Sequence, residues 1–379
     1  MTMLLSPSPY AAIYPRQYIA YRSDVTSTAE EPAITIDGNL DKPFWNDIPW
    51  TEDFVDISTN TPPSQRTMVK MRWDDHFLFV GARMEETDVW ATLTEENSVI
   101  FQDNDFEIFV DCDGSNHNYK EFEINALGTT WTLLLDKPYD DGGGENSKRV
   151  DPINGYDMSP FIRSATKVYP NGSINRPDVR NTHWTAEVAL PISKLMERNE
   201  LAKRPSDGHQ WRINFSRVQW GVKVNNEKGE YEKNPCCQSC AVPGTAAEDN
   251  WTWSPQGKVA MHLPERWGIL QFSSSTSPSR NDEVVLEYKE WDVRCCAMAL
   301  YYAQKGYYNK EGKYTELMER LKPFFKQPFL LHSAADVRIT ITEEEGFTAT
   351  ATIGSLTATI NQERYLVVRE DVLSSYSTE

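Results

Sequence analysis

Two neighbouring stretches within residues 97–128 constrain this chain more than any other feature, because both alternate hydrophobic and polar residues and both polar faces are acidic. In the first, Phe106, Ile108 and Val110 fall on one side, and Glu107, Phe109 and Asp111 on the other. In the second, Phe122, Ile124 and Ala126 oppose Glu121, Glu123 and Asn125. Side chains of a strand alternate between faces, so each segment reads as a strand that buries one side and presents carboxylates on the other. Like charges opposite each other on paired strands are unfavourable. A face carrying Glu107, Glu123 and Asn125 therefore calls for a polar or cationic companion: a sugar, a metal ion or a pair of arginines. Arg212 and Arg217 are candidates for the last, since an arginine can grip a carboxylate with two parallel hydrogen bonds. A buried structural network would use the same residues.

The β pattern extends well beyond this pair. Residues 67–73 and 77–84, joined by Asp74-Asp75-His76, read as a hairpin. Further strands are expected at 106–111, 120–126, 130–135, 161–168, 184–190, 211–220 and 267–272. The Gly- and Asp-rich segment 139–154 and the polar segment 221–250 read as loops, and residues 1–32 as an irregular lead-in. About nine short strands with long loops and no sustained helical period predict an antiparallel β-sandwich, jelly-roll-like, over residues 33–272. Residues 273–283 (SSSTSPSRND and Glu283) have linker composition. Beyond them Val285, Trp291, Cys295, Met298 and Tyr302 repeat at helical spacing, predicting a helix over 284–308. A second helix is expected over 314–321, then strands at 337–342, 347–353 and 356–360. Residues 284–379 thus form a small α+β appendage suited to packing on a neighbour, a protein partner or a second copy.

Charge narrows the function classes. The net charge is −18 and the sequence pI about 4.9. Nucleic acid and anionic membranes both select basic surfaces, so neither is an expected partner. No apolar run approaches the roughly 18 residues that span a bilayer. The first residues have a short apolar stretch broken by Pro and no basic leader, a poor signal peptide. The six cysteines include the adjacent pairs Cys236-Cys237 and Cys295-Cys296, with Cys112 and Cys240 alone. That spacing suits reduced thiols better than a disulfide framework, which favours an intracellular setting. Cys237 and Cys240 form a C-x-x-C that lacks a second pair at zinc-ribbon spacing. His209 and His262 could complete a zinc site only through the fold.

Several stretches together resemble the family 9 carbohydrate-binding modules, β-sandwiches in a wider group that also holds DOMON-type haem and sugar domains. They are Ile36-Asp37-Gly38-Asn39-Leu40-Asp41 with Trp45, the Val69–Asp75 hairpin arm with Leu78-Phe79-Val80, and Asp103–Asp111. Trp184–Pro191, and Trp253-Ser254-Pro255 with Pro264 and Trp267-Gly268, complete the set in the same order. The full length is similar to carbohydrate-binding family 9-like proteins that share the DNDFE, NFSRVQW and WSPQG…MHLPERWG stretches. The resemblance implies a sugar clamped between two aromatic side chains and hydrogen-bonded by polar strand residues. Matched by motif, the clamp positions fall near Phe101 and Met261. An acidic ligand falls on Glu107, an arginine on Glu123 and a glutamine on Asn214. The departures at Glu123 and at both clamp positions imply a changed ligand, one of cationic character or one bridged by a metal.

The expected ligand-binding set is therefore Phe101, Glu107, Glu123, Asn125, Trp131, Arg212, Asn214, Trp251 and Met261. Trp131 and Trp251, chosen from the spare aromatics Trp90, Trp131, Trp220, Trp251 and Trp253, are the candidates for a substitute sugar platform. Asp111, Asp113 and Asn116 offer oxygen ligands for calcium in a turn that lacks EF-hand spacing. Haem would need an axial pair such as Met71 with Met261 or His262, and nothing in the sequence fixes one. No cofactor is required by any motif. Three functions follow: non-catalytic carbohydrate binding; glycoside cleavage by Glu107 and Glu123 as paired carboxylates; or an interaction protein with a degenerate sugar site.

Overall fold

The computed structural model describes residues 8–234, 248–278 and 285–371. The chain is mostly β. The principal strands are β1 (Gln17–Arg22), β2 (Thr67–Trp73), β3 (Phe77–Glu85), β4 (Asp105–Asp111), β5 (Tyr119–Asn125), β6 (Thr130–Leu135), β7 (Arg163–Tyr169), β8 (His183–Pro191), β9 (Gln210–Gln219), β10 (Asp249–Thr252) and β11 (Gly268–Ser273). They run in the order β6-β5-β4-β9-β11-β1-β2-β3-β8-β7, with β10 pairing on β9. All neighbours are antiparallel except β1, which is parallel to β11 through Gln17–Tyr21 and to β2 at Tyr21 and Arg22. β1 thereby hands one layer on to the next, and the path folds into two facing sheets.

The interior between the layers is built from the alternation seen in the sequence. Phe106, Ile108 and Val110 of β4 and Phe122 and Ile124 of β5 meet Val69 and Met71 of β2, Val80 and Ala82 of β3, and Ala186 and Val188 of β8 in one cluster. Phe106 stacks on Phe215 of β9 with ring centroids 5.8 Å apart. Full burial of such side chains stabilises by about 1.5–3 kcal/mol each.

Both sheets are also covered on their outer faces. On the β2-β3-β8 side, Phe77, Phe79 and Ala189 pack under Leu40, Phe44 and Trp45. A single carboxylate holds that cover in place. Glu187, fully buried on β8, accepts the backbone N–H groups of Asp37 and Gly38, the Trp45 indole N–H, and the Lys42 ammonium at 2.9 Å. Gly38 sits at φ +77°, and a Cβ there would come within 2.7 Å of the Thr166 backbone. The Ile36–Asp41 and Trp184–Pro191 motifs, far apart in sequence, are thus two halves of one contact.

Several boundaries differ from those the sequence predicts. The lead-in contains β1, a strand at the centre of the topology; its QYIAYR run is apolar at four consecutive positions, so no polar–apolar alternation marks it. The 221–250 loop includes a hairpin, Val222–Asn225 with Glu230–Lys233, and the strand β10. Cys236, Cys237 and Cys240 lie outside the described residues. The appendage helix α1 spans Trp291–Glu311, starting later and ending later than predicted, and stops at Gly312 with φ +70°. The second helix is one turn, Met318–Leu321. The meander has four strands, β12 (Asp336–Ile341), β13 (Phe347–Ile353), β14 (Leu356–Asn361) and β15 (Leu366–Glu370). The fourth, LVVRE, escaped the sequence reading because only its first residue is buried. α1 packs on this sheet in a cluster that also takes in Tyr10 and the sandwich residue Ile269. Arg364 anchors the appendage to the sandwich through buried ion pairs with Asp141 at 2.8 Å and Glu265 at 3.3 Å. Among the described residues no helix is long and apolar enough to cross a membrane.

Candidate functional site

The outer face of β4, β5, β6 and β9 brings the acidic residues together. In register, Glu107 of β4 lies directly opposite Glu123 of β5 on one side and Ser216 of β9 on the other. Glu123 in turn lies opposite Trp131 of β6. Two positions along, on the same face, Asp105 opposes Asn125, and two positions the other way Phe109 opposes Glu121. Carboxylate oxygens of Asp105, Glu107 and Glu123 lie within 4.8 Å of one another. All three side chains, and Glu121, are buried.

Burial without a cation dominates the electrostatics. It pushes Glu107 up to about 7, while Ser216 and Asp105 act in the opposite sense. Asp105, Glu121 and Glu123 are held well above the usual carboxylate range, first by burial and then by repulsion from their neighbours, Glu107 among them in each case. The arginine partners expected from the sequence are not there. Arg212 donates to the carbonyls of Pro264 and Glu265 and lies over Tyr288 and Trp291. Arg217 donates to Thr67, Gln219 and the Glu85 carbonyl and pairs with Glu86 at 3.4 Å. Each arginine shares a strand with the acids' neighbour Ser216, but its reach takes it to a different end of the sheet.

Above the acids is a lip of partly exposed groups. Phe101, 40% exposed, sits in the one-turn segment Ile100–Gln102, and its backbone N–H donates to Glu123 Oε2 at 3.1 Å. Trp220 Nε1 donates to the Phe101 carbonyl at 2.8 Å, fixing the segment from the other side. Tyr139, 44% exposed, has its hydroxyl raised by burial and by Glu121, Glu145 and Glu123. Arg149 pairs with Glu145 and lies over the Trp131 ring at 5.4 Å. Trp131 itself is buried, and its indole N–H has no protein partner.

The remaining predicted positions serve the scaffold. Asn214 is fully buried: its Nδ2 donates to the Ser254 carbonyl, and its Oδ1 accepts from Ser254 and Phe215 N–H. Asn125 donates to Leu93 O and Asp103 and accepts from Leu127 and Thr129, tying down the turn after β5. Trp251 is buried under Arg217 rather than offering an open ring. Trp90 and Trp253 are buried too. Met261 is buried against Trp267, Phe109 and Trp131 in the cluster that covers this face. Met71 lies in the core between the sheets, so the Met71–Met261 haem pairing is not brought together. His262 bonds to the Tyr119 hydroxyl at 3.0 Å, and His209 packs near Phe272. At the Asp111 turn, Asp111 accepts the N–H groups of Gly114 and Asn116, and Asp113 that of Ser115. Asn116 donates to the Arg364 carbonyl, and Arg294 binds Gly114 O beside it.

Sequence reasoning missed Asp105 and Tyr139 as members of the site. Asp105 continues the alternation of Glu107 and Phe109 by one step, a signal that was available. Tyr139 comes from a loop whose path no local pattern gives.

Residues 36–215 match the family model described as carbohydrate family 9 binding domain-like. That stretch of the chain is similar to this family. Among solved structures, a candidate carbohydrate-binding protein from Bacteroides uniformis ATCC 8492 aligns at 16% identity over 68% of this chain and all of its own, with a TM-score of 0.44. Two family 9 modules from Caldicellulosiruptor kristjanssonii align at 15% identity over the whole of their length. The one in complex with cellotriose covers 71% of this chain with a TM-score of 0.36, and the one in complex with glucose covers 70% with 0.37. No curated protein sequence matches.

Proposed function

We propose that the sandwich binds a carbohydrate, without cleaving it, on the β4–β5–β6 face beneath Phe101. The match of residues 36–215 to a family model described by carbohydrate binding supports this reading. The observation that carries it is the combination at one place of an exposed aromatic ring, a buried donor without a protein partner and buried carboxylates. Phe101 offers a flat apolar surface of the kind that packs against the C–H face of a pyranose. Below it, Trp131 Nε1 is buried without a partner, beside the buried carboxylates of Glu107 and Glu123. Unsatisfied buried groups are rare in folded proteins and cost about 1–3 kcal/mol each. A polyol, which both donates and accepts, suits such a mixed set.

The same geometry speaks for binding over hydrolysis. A paired-carboxylate glycosidase keeps one acid ionised as nucleophile or base while the other is protonated. Here burial raises both Glu107 and Glu123, and neither has a neighbouring cation among the described residues that would keep it ionised.

Calorimetric titration of the full chain with a panel of mono- and disaccharides, glucose and cellobiose among them, tests the proposal. A saturable hit is expected, weakened by about tenfold in Phe101→Ala, the loss of one aromatic contact. Silence across the panel, or a hit indifferent to both Phe101→Ala and Trp131→Phe, would overturn it. Reducing sugar released by the wild type and abolished in Glu107→Gln and Glu123→Gln would replace it with the hydrolase reading.

A further inference from the structure

We infer that the cleft between the sandwich and the appendage binds an organic oxyanion, a carboxylate or phosphate carried on an apolar body, with Arg212 at its floor. The cleft includes neither Phe101 nor any of the acids Asp105, Glu107, Glu121 and Glu123. The inference therefore stands whether or not a glycan binds at the lip.

The cleft measures about 660 Å³, within the roughly 300–1,000 Å³ typical of small-molecule sites. One wall is sandwich: the turn after β4, the segment leading into β9, and the first residues of β9. The other is appendage: residues 286–290, Arg294 of α1, and residues 367–369 of β15. Exposed Leu201 on one wall and Leu286 on the other offer apolar surface beside the charges.

The charge of the lining runs against that of the chain. In a protein of net charge −18, the cleft carries Lys203, Arg212, Lys289, Arg294 and Arg369. The acids among its lining residues are Asp113, Glu287 and Glu290. Glu290 is taken by Arg294 at 2.7 Å, and Asp113 accepts the Ser115 N–H. Lys203, Lys289 and Arg369 are exposed and form no ion pair among the described residues. α1, 21 residues long, starts beside the cleft with no side chain capping its first turn, and the positive end of its dipole adds an attraction of the same sign.

Exposed lysines and a helix end would not by themselves make a site. Arg212 supplies the independent sign. It is 4% exposed, its Nη2 donates to the Pro264 and Glu265 carbonyls, and its Nη1 has no partner. Asp111, its neighbour across the strand pair, is occupied by the N–H groups of Gly114 and Asn116. Burial first, and Arg294 as well, act against the guanidinium charge. A buried cation without an anion is costly. An oxyanion offers the idle N–H an acceptor and the charge a counterion in one group. His209 Nδ1, also on the sandwich wall, is buried and idle in the same way.

The experiment titrates the full chain by calorimetry, at neutral pH and low salt, with benzoate, phenyl phosphate and inorganic phosphate, and with benzyl alcohol as the neutral control. Benzoate or phenyl phosphate is expected to bind one-to-one, and which of them binds identifies the oxyanion. Inorganic phosphate should bind more weakly than phenyl phosphate, having nothing to lay on Leu201 and Leu286. Affinity should fall on adding salt, by about tenfold or more in Arg212→Met, and by about two- to fivefold in Lys289→Gln and in Arg369→Gln. The last two change exposed side chains, so they carry the test if Arg212→Met fails to fold. Phe101→Ala should leave the anion's affinity unchanged. Four results would overturn the proposal: no binding of either aromatic anion; benzyl alcohol binding as tightly as they do; an affinity that Lys289→Gln and Arg369→Gln both retain in full; or binding lost in Phe101→Ala, which would place the anion at the lip.

Discussion

Glu187→Ala should be among the most damaging single changes in this protein, although Glu187 touches neither the acidic face nor the main core. Its carboxylate accepts four donors: Asp37 N–H at 3.0 Å, Gly38 N–H at 3.1 Å, Trp45 Nε1 at 2.9 Å and Lys42 Nζ at 2.9 Å. Asp37 is exposed and the Lys42 side chain keeps 17% of its surface in water, so those two donors can rehydrate. Gly38 and Trp45 are buried and cannot. Two orphaned buried donors cost about 1–3 kcal/mol each. Allowing for the relieved burial of the carboxylate itself, the net loss is about 4 kcal/mol. For a protein of this size each kcal/mol lowers the melting temperature by about 1–1.5 °C, giving a fall of roughly 5 °C. Lys42→Met provides the control. It removes one partner but leaves three donors on the carboxylate, and should cost about 1–2 kcal/mol. Thermal melts and urea titrations of both variants measure these values. A Glu187→Ala melting temperature within about 2 °C of wild type, or a Lys42→Met loss as large as that of Glu187→Ala, would refute the view that this carboxylate anchors the Ile36–Trp45 cover.

Three further outcomes follow from the same structure. Asn214→Ala should destabilise by about 1–3 kcal/mol, because Ser254 N–H and Phe215 N–H lose the Asn214 oxygen, while the Ser254 carbonyl keeps Gln256 Nε2; denaturant titration measures it, and no loss would mean the clamp is not needed. Phe101→Ala, at an exposed ring, should change stability by no more than about 0.5 kcal/mol, so that any effect on a sugar is one of binding. His262 is lowered to about 4 by burial, below the ordinary imidazole value near 6.5. The unfolded chain therefore binds the extra proton between those values, and the histidine's contribution is intact above about pH 6.5 and declines as pH falls toward 4. Because the ring keeps some contact with solvent, the loss should be about 1–2 kcal/mol. Urea titrations of wild type and His262→Phe at neutral and mildly acidic pH should show their stability difference shifting toward the variant in acid, and a constant difference would contradict the assignment.

How much of this was legible depended on whether a residue's neighbours were local. The strands that alternate, such as β4 and β5, could be read to within a residue, because one buried face and one polar face leave a period of two. β1 could not, since Tyr18, Ile19, Ala20 and Tyr21 are apolar in succession and leave no polar–apolar period to read. The pairing of Glu107 with Glu123 was visible as an expectation, and register turned it into contact. Of the companions open to them, the arginines are engaged elsewhere: Arg212 and Arg217 share β9 with Ser216, but Arg212 binds the Pro264 and Glu265 carbonyls and Arg217 pairs with Glu86, from segments whose approach no local pattern encodes. The aromatic residues were the least legible. Trp131 and Trp251 stood near strand ends in sequence, where rings are often exposed. Here the covering elements, including Met261 and the segment carrying Ile57, bury the Trp131 ring and leave only its N–H idle. Phe101, a lesser aromatic by size, and Tyr139 are left open at the lip.

The most direct test is a crystal structure of the chain with the sugar that the titrations identify. The account predicts a pyranose ring lying on Phe101, with hydroxyls within hydrogen-bond reach of Glu107 or Glu123 and of Trp131 Nε1. A sugar bound elsewhere, for example in the cleft of Trp211, Tyr288 and Arg294 between β9 and the start of α1, would contradict it.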